Sequence, residues 1–327
     1  MGIFVFMPLV LPVTVLPMVR LAGQHLHPRA AARLLTAVGG LLAVCSTLCL
    51  VLLMVVGTAQ LPGNPLPDGW SDPEVRAAVP HERYVGEVSI VALLAVLAAW
   101  ARTVAEHVRV RRAAHRSLAV LPARGAPDAT ADGELAVLPD ADPYAYALPG
   151  GFGHRGRVVV STAMLDHLDA DERRVLVAHE RAHLAAHHHR HLLLVRLAAR
   201  ANPLLGPLRD AVAYSVERWA DEVAARELGS RRTVARTVAK AALVTRGAPA
   251  SGLAAASGLA ALAEPGPVPR RVAALLAPEP PAHSWPPPGT AARLAAWVAA
   301  AGTAASAVSS LIAAAALTAA LVAATPL

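Results

Sequence analysis

The sequence predicts a multi-span α-helical membrane protein that carries a mostly helical α+β domain, with a small antiparallel sheet, between its third and fourth spans. Of the 327 residues, 55% are hydrophobic, and the mean hydropathy is +0.45, which is too apolar for a soluble chain of this length. Long apolar runs occur in both terminal regions of the chain. Charged residues become frequent, and apolar residues periodic, over residues 118–277, which is the part that can fold in water.

Four apolar segments are predicted to cross the membrane. The first three cover about residues 3–19, 34–56 and 88–105, and the fourth lies within residues 291–327. Three prolines interrupt the first segment, and a span packed among other helices tolerates them. The second segment is free of charge and long enough for a hydrocarbon core of about 30 Å. Both cysteines lie in this second segment, which excludes a disulfide framework.

The predicted spans divide the chain into a membrane region, a domain, a linker and a last span. The membrane region covers residues 1–117 and includes an exterior loop over residues 60–87. The domain covers residues 118–277, and a proline-rich linker over residues 278–290 joins it to the last span.

Basic residues in the connections predict the orientation of the spans. The connections before the second span and after the third are rich in arginine: Arg20, Arg29, Arg33, Arg109, Arg111, Arg112 and Arg116. Both connections should therefore lie in the cytoplasm. We expect a multi-pass plasma-membrane protein with its N-terminus outside and its domain in the cytoplasm. Because this topology explains the net charge of +7, the charge does not indicate direct binding of nucleic acid.

The domain begins with strand patterns and continues with helices. Residues 133–138, 144–148 and 157–161 are typical of short strands. Asp169, followed three residues later by Glu172, predicts a capping box and a helix from about residue 170. Further helical blocks are expected over residues 192–201 and 209–228, and Gly229 should end the second of them.

Two histidines four residues apart lie in the first of these helices. His179 and His183 share one helix face, so their ring nitrogens can point at one metal ion. Glu180 lies beside them, where its carboxylate can take a proton from an activated water and pass it to a leaving amine. The pattern predicts a zinc site in which Glu180 is the catalytic base.

A catalytic zinc ion needs three protein ligands and one open position, and a later helix offers the third ligand. Glu217 and Asp221 lie one turn apart on that helix. We assign Glu217 as the third ligand of one zinc ion per chain, and Asp221 as the acceptor that orients a ligand imidazole. The alternative is a solvated helix face on which both acids pair with Arg218 and Arg226.

The motifs His179-Glu180-x-x-His183 and Glu217-x-x-Ala220-Asp221, in a domain between membrane spans, resemble the gluzincin membrane metallopeptidases. That group includes the HtpX/Ste24-like peptidases (family M48) and the BlaR1/MecR1-type antirepressor peptidases (M56-like), and the span layout is closer to the second. The resemblance implies a zincin-like fold and zinc-dependent cleavage of internal peptide bonds in a protein. Antibiotic-sensing members carry an exterior penicillin-binding domain after their last span. None follows here, so sensing of β-lactams is not expected.

The same resemblance implies how a substrate is bound. In zincins of this type the strand before the zinc helix is a sheet edge that pairs with an extended peptide. Val158, Val159 and Val160 occupy that position here, and the alternative is a plain core strand. The histidine-rich stretch after the motif is expected to form an exposed helix end near the membrane surface: His187, His188, His189 and His191.

The expected function is regulated proteolysis of a protein or peptide on the cytoplasmic side, with a transcriptional repressor as one candidate substrate. Constitutive quality control of membrane proteins by the same chemistry is the alternative. A different class of function also stays open, a catalytically silent membrane scaffold or metal-binding protein. The expected partners are the substrate and the lipid bilayer, and the sequence does not indicate an oligomeric state.

Overall fold

The computed structural model describes residues 5–58, 82–120, 134–151, 153–246, 268–279 and 290–324. These residues are mostly helical and contain one three-stranded sheet. Most of the predicted exterior loop and most of the proline-rich linker lie outside the described residues.

The N-terminal segment is a series of short helical pieces. They are α1 (Met7–Val10), a 3-10 helix (Leu11–Val15) and α2 (Leu16–His25). A proline stands at the start of each piece, because proline lacks the N–H that a helix interior needs and therefore begins a new piece. The segment is shorter than a helix that crosses a membrane, so the prediction that residues 3–19 form a span is not confirmed.

Three helices in the described part of the chain are long and apolar enough to cross a membrane. They are α3 (Pro28–Thr58), α4 (Glu82–Val120) and α11 (Thr290–Ala324), and they contain most of the predicted second, third and fourth spans. Helix α4 has 39 residues and is therefore about 58 Å long. Its C-terminal half extends well beyond the predicted third span and becomes part of the functional domain.

The sheet has the strand order β1-β3-β2, with β1 (Leu135–Leu138), β2 (Ala145–Leu148) and β3 (Arg157–Ser161). Strand β3 pairs with β2 in antiparallel and with β1 in parallel orientation, so the prediction of a purely antiparallel sheet is wrong. Val158, Val159 and Val160 are fully buried in the central strand, and the prediction that they form a substrate-binding edge is also wrong. A continuous apolar run suits a strand that is covered on both faces.

Between the sheet and α11, the described residues form the helices α5 (Thr162–Asp166), α6 (Ala170–Ala185), α7 (His188–Ala201), α8 (Gly206–Leu228), α9 (Arg231–Arg246) and α10 (Val268–Leu276). The predicted capping box begins α6. Asp169 accepts a hydrogen bond from the backbone N–H of Glu172, whose carboxylate accepts one from the N–H of Asp169. Gly229 ends α8 in the left-handed conformation, with a φ of 70°, as the sequence predicts.

The turn between α7 and α8 packs into the apolar helices. Asn202, which is 5% exposed, donates hydrogen bonds to the backbone oxygen of Leu9 and to Ser46 Oγ, both at 3.0 Å. Ser46 Oγ in turn donates to the backbone oxygen of Pro8 at 2.8 Å. Residues of α3, α7 and α8 also share one apolar core. Helices α7 and α8 are therefore packed directly against α3, which is long and apolar enough to cross a membrane.

Removing the hydroxyl of Ser46 should destabilise this junction. We expect Ser46→Ala to lower the free energy of unfolding by about 1–2 kcal/mol, because Asn202 and Pro8 lose a buried partner. Thr47→Ala is the matched control, since the Thr47 hydroxyl donates to the backbone oxygen of Ala43 within α3. Denaturant unfolding of both variants in detergent measures the difference, and equal stabilities would contradict the proposed role of Ser46.

Candidate metal centre

Helices α6 and α8 lie side by side and bring three metal-binding side chains together. His179 Nε2 and His183 Nε2 are 3.1 Å apart. The Glu217 carboxylate oxygens lie 3.6 Å from the first of these nitrogens and 3.5 Å from the second. Tetrahedral zinc with ligands at about 2.0–2.1 Å separates its ligand atoms by about 3.3 Å. The residues present therefore fit one zinc ion with the predicted ligand set.

The acidic residues of α8 do not form a solvated helix face. Glu217 is 8% exposed and Asp221 is fully buried. Arg218 pairs instead with Glu222 at 2.7 Å, and Arg226 donates to the backbone oxygen of Glu222. The alternative in which Glu217 and Asp221 pair with these two arginines is therefore wrong.

Asp221 lies beside a ligand imidazole, as predicted. Its Oδ1 is 3.1 Å from His179 Nδ1, although the contact lacks the alignment of a good hydrogen bond. Burial alone would lower the pKa of His179, but the carboxylates of Asp221 and Glu217 outweigh it and raise this pKa to about 10. The pocket thus stabilises positive charge at the position where the ligand atoms converge.

Arg271 on α10 is a residue of the site that the sequence analysis missed. Its Nε and Nη2 donate to the two carboxylate oxygens of Asp221 at 2.9 and 2.6 Å, and its Nη1 lies 2.9 Å from Glu217 Oε2. The residue is 6% exposed. Although burial would raise the pKa of Glu217, the guanidinium and the nearby histidines hold it well below its usual range.

One signal in the sequence could have revealed Arg271. Arg271 lies four residues before Leu275, a buried residue of α10, so a helical wheel places this basic side chain on the apolar face of the helix. The neighbouring Arg270 is exposed and lies over the Tyr214 ring. A buried arginine needs a buried acid, but the sequence does not tell which acid, since Asp221 is 50 residues away.

Glu180 lies at the wall of a cavity of about 180 Å³ that the three candidate ligands also line. Burial raises the pKa of Glu180 to about 7. A carboxyl group with this pKa can both accept and return a proton near neutral pH. The position beside the ligand cluster suits the role of base predicted for Glu180.

The histidine-rich stretch does not form an exposed helix end. His187, between α6 and α7, has a φ of 52°, which is uncommon for a residue other than glycine. The turn brings His188, 1% exposed, back onto the site, where its Nδ1 lies 2.9 Å from His183 Nδ1. Burial lowers the pKa of His188. The Nδ1 atom of a neutral His188 can therefore accept a hydrogen bond from the Nδ1–H of His183, which leaves His183 Nε2 for the metal.

Loss of His188 should weaken metal binding without removing a ligand. We expect His188→Phe to lower zinc affinity by about 10- to 100-fold, because His183 loses the partner that fixes its tautomer and ring orientation. Competition with a zinc-chelating dye measures the affinity. His187→Asn is the control, since it also removes one histidine and asparagine tolerates the left-handed conformation. An unchanged affinity in His188→Phe would exclude this role.

Strand β2 forms another wall of the cavity and presents backbone groups to it. The backbone N–H of Ser161 donates to the oxygen of Tyr144, and Tyr146 is opposite Val159. In an antiparallel pair the residues that alternate with such hydrogen-bonded positions point their N–H and C=O groups away from the partner strand. Ala145 and Ala147 are those residues, and both line the cavity. Among the described strands β2 has a neighbour on one side only, so it replaces β3 as the candidate substrate edge.

Comparison with known proteins gives one family. The model of Peptidase family M48 matches residues 109–205, a region that contains His179, Glu180 and His183 but ends before Glu217. No curated protein and no solved structure matches the chain. Peptidases of this family are zinc-dependent, which agrees with the cluster of His179, His183 and Glu217. The resemblance to the antirepressor peptidases stays a prediction.

The match and the fold lead to the same class of protein. An M48-type peptidase domain implies a metallopeptidase, which is a hydrolase of peptide bonds. The three long apolar helices in the described part of the chain indicate that the protein is associated with a membrane. Similarity to the M48 peptidases over residues 109–205, together with three helices long and apolar enough to cross a membrane, therefore indicates a membrane-associated metallopeptidase.

Proposed function

We propose that the protein is a membrane-anchored zinc endopeptidase that cleaves protein substrates on the cytoplasmic side of the plasma membrane. The observation that carries the proposal is the convergence of His179, His183 and Glu217 at the spacing of tetrahedral zinc ligands. Glu180 lies beside them in the same cavity. This arrangement argues against the alternative of a catalytically silent scaffold or metal-binding protein, which would need no base at the ligand cluster.

The residues of the site would divide the reaction between them. A zinc ion held by His179, His183 and Glu217 would activate a water molecule and polarise the carbonyl of the scissile bond. Glu180 takes a proton from the attacking water and delivers it to the leaving amine, for which its pKa of about 7 is suited. Asp221 orients the ring of His179, and His188 orients the ring of His183. Each acts through a contact with the Nδ1 atom of the ligand imidazole.

The edge of β2 supports cleavage within a chain. An extended peptide that pairs with the outward groups of Ala145 and Ala147 would lie across the ligand cluster, with residues on both sides of the scissile bond. Main-chain pairing of this kind depends little on sequence. The substrate is therefore an unfolded or extended protein segment.

The cytoplasmic position rests on charge. Arginines cluster at the N-terminal end of α3 and within the C-terminal half of α4, and the positive-inside rule places these two regions in the cytoplasm. Residues of the C-terminal half of α4, among them Glu106 and Arg111, line the cavity. The site should thus lie close to the membrane surface on the arginine-rich side.

A chain of contacts supports regulated proteolysis. Arg29 and Arg33, at the start of α3, lie 5.6 and 5.4 Å from the centre of the Trp219 ring. Trp219 packs against His188 with ring centres 4.7 Å apart, and His188 contacts the ligand His183. A movement of α3 would therefore reach a metal ligand through three side chains. The substrate we propose for this regulated activity is a cytoplasmic protein such as a transcriptional repressor.

The proposed activity can be tested on the purified protein in detergent. We expect about one zinc per chain, cleavage of casein as an unfolded reporter, loss of cleavage after treatment with a chelator and its return with added zinc. A protein that binds no zinc, or that cuts equally well without it, would overturn the proposal. Cleavage only at chain termini would exclude the endopeptidase in favour of an exopeptidase.

A further inference from the structure

The cavity that the ligand cluster and β2 line has a further wall formed by α4 and α7, which contains several basic side chains. From α4 it includes His107 and Arg111, and from α7 His189 and Arg196. Within each helix the lining residues recur at helical spacing, so one face of each helix is turned towards the cavity. The Trp100 indole donates a hydrogen bond to the backbone oxygen of Leu197 at 2.8 Å and fixes the two helices against each other.

The positive charge of this wall lies next to the proposed substrate edge. Arg111 Nη2 donates to the backbone oxygens of Pro149 and Gly150 at 3.3 and 2.5 Å, directly after the last residue of β2. A guanidinium is therefore held where an extended peptide would leave the edge strand. Arg196 adds a second guanidinium from α7. Among the residues of α4 and α7 that line the cavity, the two arginines outnumber the acidic Glu106.

The two histidines add hydrogen-bonding capacity. Burial lowers the pKa of His189 to about 4, so its ring is neutral at physiological pH. A neutral imidazole can donate one hydrogen bond to a carboxylate. The wall thus combines two permanent positive charges with ring donors, a combination that suits a planar carboxylate.

We propose that this wall is a substrate-specificity site for an acidic side chain, so that the peptidase prefers an aspartate or glutamate within about three residues of the scissile bond. This inference rests on the proposed function, because it concerns the substrate of the same active site. In an extended peptide alternate side chains point the same way, so one or two positions near the bond face α4 and α7. A lysine or arginine there would meet Arg111 and Arg196 and be disfavoured.

Sequencing of cleavage products tests the preference. The zinc-loaded full-length protein is incubated in detergent with a peptide library prepared from a digested proteome, and new termini are identified by mass spectrometry. We expect Asp and Glu to be enriched by about twofold to fivefold at one or two positions, as for a partly exposed ion pair. Arg196→Glu should abolish this enrichment or transfer it to Lys and Arg.

Arg200→Glu is the matched control. Arg200 lies one turn further along α7, is exposed and does not line the cavity, so the same charge change should leave the preference intact. Active enzyme without acidic enrichment, or an equal loss in both variants, would overturn the specificity site while leaving the peptidase in place. Absence of any new terminus with the wild type would instead contradict the proposed function itself.

Discussion

Replacing Glu180 by glutamine is expected to leave the zinc content at about one per chain and to lower peptide hydrolysis by about 10²- to 10⁴-fold, the usual contribution of a general base. Glutamine has nearly the same shape as glutamate but cannot take up a proton. The ligand cluster of His179, His183 and Glu217 does not include Glu180, so metal binding should persist. Zinc analysis and casein cleavage on the same preparation measure both quantities.

A second variant on the same helix controls for loss of charge. Asp171→Asn removes an exposed carboxylate in the first turn of α6 and should change neither zinc content nor cleavage. If Glu180→Gln cut casein at the wild-type rate, another residue would have to be the base. If it lost zinc, the variant would not test proton transfer and the assignment of the ligand set would be wrong.

Replacing Arg271 by methionine is expected to destabilise the metal-free protein by about 3–5 kcal/mol. The guanidinium contacts both Asp221 and Glu217, and without it two buried carboxylates lie close together without their cation. Bound zinc supplies positive charge at Glu217, so the zinc-loaded variant should lose less stability than the metal-free variant. Unfolding of both proteins with and without zinc measures the two differences.

Arg270→Met is the matched control for Arg271→Met. Arg270 precedes Arg271 directly, is exposed and stacks on the Tyr214 ring, so its loss should cost less than about 1 kcal/mol. Equal effects of the two substitutions would show that the buried guanidinium has no special role. A loss that zinc leaves unchanged would show that Arg271 stabilises α10 but not the charge of the site.

Local patterns in the sequence predicted much of the structure correctly. The capping box of Asp169 and Glu172 and the end of α8 at Gly229 depend on neighbouring residues, and neighbouring residues are all that a local pattern contains. The spacing of His179 and His183 on one helix, and of Glu217 and Asp221 on another, likewise follows from the helical repeat.

Predictions that depended on strand order or on the path of a turn were less successful. An apolar strand such as Val158–Val160 fits a central or an edge position equally well in sequence, and only the pairing with both β1 and β2 makes it central. The histidine-rich stretch was expected to be an exposed helix end, but the left-handed turn at His187 brings His188 into contact with His183. No periodic pattern reports such a turn.

The sequence by itself determined the apolar helices, the helix that carries His179, Glu180 and His183, and the pair of Glu217 and Asp221 one turn apart on a second helix, because each depends on residue type and spacing within one segment. Only the tertiary structure decided that β2 borders the cavity, that α4 and α7 form its basic wall, and that Arg271 holds Asp221 and Glu217. These features join segments far apart in the chain. Such contacts are selected by the packing and charge balance of the folded protein, which no single segment contains.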